Sequence, residues 1–201
     1  MIHQVIRSLV LPLAVLSLLL AGCAGTVTNM REVPLSQVPA APEPGKALVV
    51  FMRPSGLGFG VQSSVFEIRN ETPVLVGIVA AKTRVVQQVN PGRYLYMVVG
   101  ENADFMTADV VAGKTYYVKV EPRMGMWKAR FGLEPYRQKD FAGADFAGAL
   151  NECRAVEKGP ESEAWAASNA VSIASKRTEY YGDWVKQAES ARPRLLAEDG
   201  R

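Results

Sequence analysis

Alternation of apolar and polar residues, sustained over residues 62–133, restricts the fold of this chain more than any other feature. A period of two is the period of a β-strand, in which successive side chains point to opposite faces of a sheet. Turn-forming residues interrupt the alternation roughly every 8 to 12 residues, which is typical of a sandwich or barrel. We therefore expect a mainly β fold, with an antiparallel β-sandwich of about seven strands over residues 46–133.

A continuous apolar run opens this region. Residues 47–52 are all apolar and are bounded by charged residues, which predicts a strand buried on both faces. The sequence SGLGFG at residues 55–60 follows. It lacks the last glycine of a dinucleotide fingerprint and the Gly-Lys-Ser/Thr of a phosphate loop, and no helical pattern follows it. We expect a loop between strands, with Leu57 and Phe59 as a candidate contact surface.

The hydrophobic period changes near residue 140. Apolar and small residues recur at intervals of three and four across residues 160–181, and Pro160 followed by acidic residues is typical of a helix start. A shorter helix is expected around residues 141–150, where glycines are unfavourable. Residues 134–201 are therefore predicted to form a helical segment that packs on the sandwich.

The N-terminal residues resemble a secretory signal. A short polar start precedes an apolar run of about 12 residues, fewer than the roughly 20 that a membrane-spanning helix needs. The run ends in the sequence LAGC at residues 20–23, which matches the lipobox of bacterial lipoproteins. Residues 1–22 are thus predicted to be a signal peptide, cleaved between Gly22 and Cys23. An ordinary signal peptide with a chance cysteine near its end is the alternative.

Membrane attachment and location follow from Cys23. Its thiol is expected to carry a diacylglyceryl group and its new amine an acyl chain, and two or more chains anchor a protein stably. Ala24 follows, and by resemblance to enterobacterial lipoproteins the lack of Asp at this position favours the periplasmic face of the outer membrane.

Residues 23–45 are predicted to be a disordered tether. Four prolines lie among small and polar residues, without an apolar period. Fully extended, such a segment reaches roughly 70 Å from the membrane. The tether therefore serves either to reach into the periplasm or only to clear the lipid surface.

The residue types left after cleavage exclude several kinds of chemistry. His3 is the only histidine and is lost with the signal, which removes Ser-His-Asp and Cys-His catalysis and histidine-rich zinc sites. Cys153 is then the only free thiol, and we expect it to be buried or to pair between chains. The formal net charge of +3 is too small to predict nucleic-acid binding. We expect no metal and no cofactor.

Three segments carry a family resemblance. Residues 47–54 (ALVVFMRP), 89–94 (VNPGRY) and 112–118 (AGKTYYV) resemble small bacterial lipoproteins of the domain of unknown function 2846 type. The second and third segments also resemble PEGA-like and transthyretin-like β-sandwiches. The likeness covers about residues 46–125 and implies a fold and a location, but no catalytic residues.

Three classes of function remain. The expected one is a lipid-anchored, non-catalytic interaction or structural domain of the cell envelope, with the membrane and an envelope protein as partners. The alternative is a saccharide- or lipid-binding module that uses exposed aromatic rings such as Phe59, Tyr96 or Tyr117. An enzyme would need paired carboxylates or a Ser-Lys pair, and the closest pair, Glu161 and Glu163, is typical of a helix start. The basic segment 123–139 fits either anionic headgroups or a solvated surface.

Overall fold

A computed structural model describes residues 27–124 and 129–201. This part of the chain is mainly β, with eleven strands in two mixed sheets and three α-helices. The β-rich fold predicted from the alternation is therefore confirmed. The predicted signal peptide and the predicted lipobox at residues 20–23 lie outside the described residues.

The first sheet contains six strands. Its order is β1 (Arg31–Val33), β10 (Arg154–Glu157), β5 (Thr83–Val89), β2 (Ala47–Arg53), β8 (Thr115–Met124) and β9 (Ala129–Pro135). The second sheet contains five strands, in the order β11 (Arg194–Leu195), β7 (Ala103–Val110), β6 (Gly92–Val99), β3 (Ser63–Arg69) and β4 (Thr72–Val79).

Helices cover the outer faces of both sheets. The α-helices are α1 (Ala144–Glu152), α2 (Pro160–Ser168) and α3 (Ala170–Lys186), and short 3₁₀ turns lie at Leu35–Gln37, Gln138–Ala142, Glu189–Ala191 and Ala197–Asp199. The helix predicted over residues 160–181 is thus present as two consecutive helices. The predicted helical segment also contributes two short strands, β10 between β1 and β5 and β11 at an edge of the second sheet, which are too short to show an alternating pattern.

The antiparallel pairing predicted over residues 46–133 is wrong for one pair, β2 with β8, and two strands outside that range also pair in parallel. Strand β2 lies parallel to β8, β10 lies parallel to β5, and β11 lies parallel to β7. The chain crosses from one sheet to the other after β2, β4, β5, β7 and β10, so several strands that are consecutive in sequence are not neighbours in space. Turn residues mark where a strand ends, but not which sheet the next strand joins.

Strand β2 is buried on both faces, as the apolar run predicted. Val49 and Phe51 belong to the core between the two sheets, where the rings of Phe51 and Tyr96 meet edge to face at 5.0 Å between centroids. Leu48 and Val50 lie on the opposite face, beneath α1. Helix α3 covers the second sheet in the same way, by placing Ile173 and Trp184 in a cluster with Phe105.

The structure differs from the predicted tether for residues 27–45. Strand β1 pairs antiparallel with β10, and Val33 is 7% exposed. Val27 and Met30 pack against the core between the sheets. Val27, Met30 and Val33 are too few and too isolated to produce a recognisable hydrophobic period. This is why the sequence of the segment resembles a linker.

Glu67, a charged residue of β3, lies in the space between the sheets and is 5% exposed. Its side chain receives hydrogen bonds from Arg69, at 2.6 and 2.8 Å, and from Gln87 of the opposite sheet at 2.8 Å. Burial alone would raise the pKa of Glu67, but these bonds outweigh it and hold the pKa below its ordinary value. The ionised carboxylate therefore joins the two sheets.

Glycine is required where β4 comes closest to the other sheet. A bulge between Val65 and Phe66 shifts the register of β3 and β4, and Gly77 lies next to it. A Cβ atom on Gly77 would come within 2.6 Å of a methyl carbon of Val85. The two backbones can approach this closely only because the side chain is missing.

We predict that Gly77→Ala lowers the free energy of unfolding by about 1–3 kcal/mol, because the added methyl group overpacks the core. The matched control is Gly182→Ala in α3, where no atom lies within 4 Å of the new methyl group. This control should raise stability by up to about 1 kcal/mol, because alanine favours helix over glycine. Urea denaturation measures both changes, and a neutral Gly77→Ala would contradict the close approach.

We predict that Glu67→Gln lowers the free energy of unfolding by about 2 kcal/mol at neutral pH, because charged hydrogen bonds are lost. The folded pKa of Glu67 is lowered from the ordinary 4.5, so its contribution is present above that pH. The contribution is lost as pH falls through the folded pKa, where parent and variant should converge. Glu71→Gln, with a side chain 84% exposed, is the control and should show neither effect.

Candidate interaction loop

Residues 54–62 join β2 to β3 across the two sheets and present apolar side chains to solvent. Leu57 is 49% exposed, Phe59 is 57% exposed and Val61 is 40% exposed. The first two are the contact residues predicted from sequence, and Val61 extends the same surface. We call residues 54–62 the apolar loop.

A buried arginine holds the apolar loop in place. Arg53 ends β2 and is fully buried, at 0% exposure. Its guanidinium donates hydrogen bonds to the carbonyl oxygens of Leu57 at 2.8 Å, Gly58 at 2.9 Å and Val61. The same group lies over the ring of Phe131, 4.8 Å from its centroid. Burial lowers the pKa of Arg53 to about 10, so the charge remains at neutral pH.

Other backbone groups of the apolar loop are also paired. The Leu57 N–H donates to the Ser55 hydroxyl at 3.1 Å, and the Val61 N–H donates to the Gly58 carbonyl at 2.9 Å. Gly58 has φ +65°, a left-handed conformation that glycine adopts without strain. Strand β3 follows the loop, so no helix N-terminus is available to hold a phosphate, in agreement with the sequence prediction.

The apolar loop contacts the first residues that the structure describes. The Thr28 N–H donates to the side-chain oxygen of Gln62 at 3.1 Å, and the Gln62 amide donates in return to the Thr28 hydroxyl. The chain therefore passes beside the loop before it enters β1.

Two of the three candidate aromatic platforms are not exposed, so that part of the alternative function is wrong. Tyr96 is 0% exposed and its hydroxyl donates to Gln87 at 3.1 Å. Tyr117 is 8% exposed and packs edge to face on Phe146, at 4.9 Å between centroids. Alternation along a strand does not separate exposed from buried rings when both faces of the sheet are covered.

Two basic residues of the segment 123–139 pair with carboxylates. Arg123 lies 3.4 Å from Asp104 and 3.5 Å from Glu134, and Arg137 pairs with Asp199. These ion pairs fit a solvated surface better than they fit a binding site for anionic headgroups.

Carboxylates come together at a place that the sequence did not indicate. Glu121, Glu134 and Asp145 lie 3.6, 3.9 and 4.0 Å from the Lys119 ammonium, along two adjoining clefts of about 340 and 330 Å³. They belong to β8, β9 and α1, so only the tertiary fold joins them. Glu163, by contrast, pairs with Lys158 at 2.9 Å, as expected of a charged residue at a helix start.

An apolar cavity of about 180 Å³ lies between residues 35–40, the outer face of the first sheet and α1. Its lining includes Leu35, Leu48, Val50, Val86, Tyr117 and Leu150. Arg84 contributes a charged side chain at the wall. The cavity could hold a short apolar chain.

Cys153 is buried, at 1% exposure, and is not disulfide-bonded. Burial raises the pKa of its thiol to about 11, so the reactive thiolate is scarce at neutral pH. No group of three or more metal-ligating side chains is found within residues 27–124 and 129–201. Among the helices of that part of the chain, none combines the length and the hydropathy that crossing a membrane requires.

We predict that Arg53→Met lowers the free energy of unfolding by at least about 3 kcal/mol, because three carbonyl groups of the apolar loop lose a charged donor. It should also make the apolar loop the first site of limited proteolysis. Arg130→Met, at an exposed position of β9, is the control and should change stability by less than about 0.5 kcal/mol. An Arg53 variant as stable and as resistant to protease as the parent would contradict the bracing role.

Comparison with known proteins does not assign this chain to a family. No family model matches the sequence, and no curated protein matches it significantly. The resemblance to lipoproteins of unknown function, carried by three short segments, therefore remains a prediction.

Proposed function

We propose that this protein is a lipid-anchored lipoprotein of the cell envelope. Its folded part is proposed to be a β-sandwich interaction domain without catalytic activity, facing the periplasm. The observation that supports this proposal best is the apolar loop, which exposes Leu57, Phe59 and Val61 on a braced backbone. Exposed apolar side chains that the fold holds in position are typical of a contact surface.

The LAGC sequence at residues 20–23 supports the membrane anchor. Ala24 supports the outer membrane as the destination. The core shared by the two sheets, with Phe51 against Tyr96, supports the sandwich architecture.

Three observations support a non-catalytic role. The buried Cys153 thiol is a poor nucleophile, since burial raises its pKa. The carboxylates around Lys119 form a charge network with one central ammonium, which is an ordinary way to stabilise neighbouring strands. The mature chain contains no histidine for general acid or base catalysis.

Lipid binding is the second candidate function, and the apolar cavity favours it. Eight of its eleven lining residues are aliphatic, and Arg84 at the wall could pair with a carboxylate. Saturable binding of a short-chain fatty acid by the domain, abolished by Leu150→Trp, would favour this function over the first. Binding that Leu150→Trp leaves unchanged would place the ligand elsewhere.

We predict that Cys23→Ser abolishes labelling by a metabolic fatty-acid probe and releases the protein from the membrane fraction, because the thioether can no longer form. Cys153→Ala is the control, and it should be labelled and membrane-bound like the parent. Labelling and fractionation of the three proteins measure the effect. The anchor would be wrong if the Cys23→Ser protein remained labelled and sedimented with membranes.

A further inference from the structure

We propose that the apolar loop inserts into the phospholipid bilayer beside the acyl chains of Cys23. The inference rests on the proposed lipid anchor and goes beyond it, since it fixes which end of the domain faces the membrane. The occupant of the loop surface is then the lipid itself rather than a second protein.

The proposed anchor at Cys23 lies close to the folded domain along the chain. Val27 packs against the core, so only four residue steps separate Cys23 from the folded domain. Four steps of at most about 3.6 Å span roughly 14 Å or less. A free tether over residues 24–45 would have left the orientation of the domain open, but this short connection does not.

The chain enters the folded domain beside the apolar loop. Thr28 is hydrogen-bonded to Gln62, the last residue of the apolar loop. Phe59 lies three residues before Gln62, so the Cα atoms of these two residues are within about 11 Å of each other. The anchor and the loop are therefore held at the same end of the domain, and a lipid on Cys23 brings the loop to the membrane surface.

The chemistry of the apolar loop suits a lipid surface. Residues 54–66 contain no Asp, Glu, Lys or Arg, and the exposed side chains are leucine, phenylalanine and valine. Such side chains partition into the boundary between headgroups and acyl chains. Aromatic rings in particular favour this boundary.

The hydrogen bonds of the loop backbone also support insertion, independently of the chain length and of the loop composition. A backbone group that enters lipid without a partner costs several kcal/mol, so polar groups must be satisfied internally. The Arg53 guanidinium binds the carbonyl groups of Leu57, Gly58 and Val61, and the N–H groups of Leu57 and Val61 are paired within the loop. The loop thus pairs these five backbone groups internally while its apolar side chains point outward, which suits a segment inserted at a membrane surface.

The test uses the full lipidated protein with Phe59→Cys, labelled with an environment-sensitive fluorophore and reconstituted into phosphatidylethanolamine–phosphatidylglycerol vesicles. Val171→Cys is the matched control, because Val171 is an apolar residue of α3 that is 86% exposed. Cys153 is 1% exposed and Cys23 is blocked by lipid, so labelling is directed to the new thiol. We expect a blue shift and protection from iodide quenching at position 59, with neither effect at position 171.

Each outcome of this experiment supports or overturns the proposal. Flotation with the vesicles, together with equal iodide quenching at positions 59 and 171, would overturn loop insertion while leaving the anchor intact. Failure to float, with no fatty acid on Cys23, would overturn the proposed function and the insertion with it. Protection at position 59 in native membranes but not in pure lipid vesicles would show a protein partner and would also overturn insertion.

Discussion

The guanidinium of Arg53 is the interaction on which the arrangement at this end of the molecule depends. It lies at the end of β2, beside the core, where the chain leaves one sheet for the other. A buried charge is costly unless it is hydrogen-bonded, and here backbone carbonyl groups and the ring of Phe131 take the place of water. Glu121 adds a compensating charge that partly offsets the effect of burial on the pKa of Arg53. One side chain thereby joins β2, the apolar loop and β9.

Sequence predicted the individual strands better than their arrangement. The apolar run at residues 47–52 appears as β2, buried on both faces, because a strand without polar positions has no face that suits water. A tight hairpin turn at Asn70 and Glu71 joins β3 and β4, and both residues adopt the positive φ that such a turn requires. The parallel pairs could not be predicted, because strand pairing is decided by crossings between sheets that leave no periodic signal. Glu67 shows the same limit, because alternation separates it from Phe66 but does not show that the other sheet covers its face.

The candidate site was predicted in part. Leu57 and Phe59 were expected to be exposed, because three glycines around them prevent regular structure, and the structure places both at the surface. The role of Arg53 could not be read from sequence, since an arginine followed by proline resembles an ordinary strand end. The contact between Thr28 and Gln62 links residues 34 positions apart and was likewise hidden. Only the tertiary fold shows that the segment taken for a tether passes beside the loop.

The pairing of β1 with β10 has a consequence for how the chain reaches its folded state. Arg31 and Glu157 are 126 residues apart, and they meet across this pair of strands. Contacts between residues so distant in sequence form slowly, because most of the chain must be ordered before they can be made. Until β1 arrives, β10 is an open edge of the first sheet that another chain could pair with. This edge is therefore a place where the folding chain is open to association with a second copy until β1 closes it.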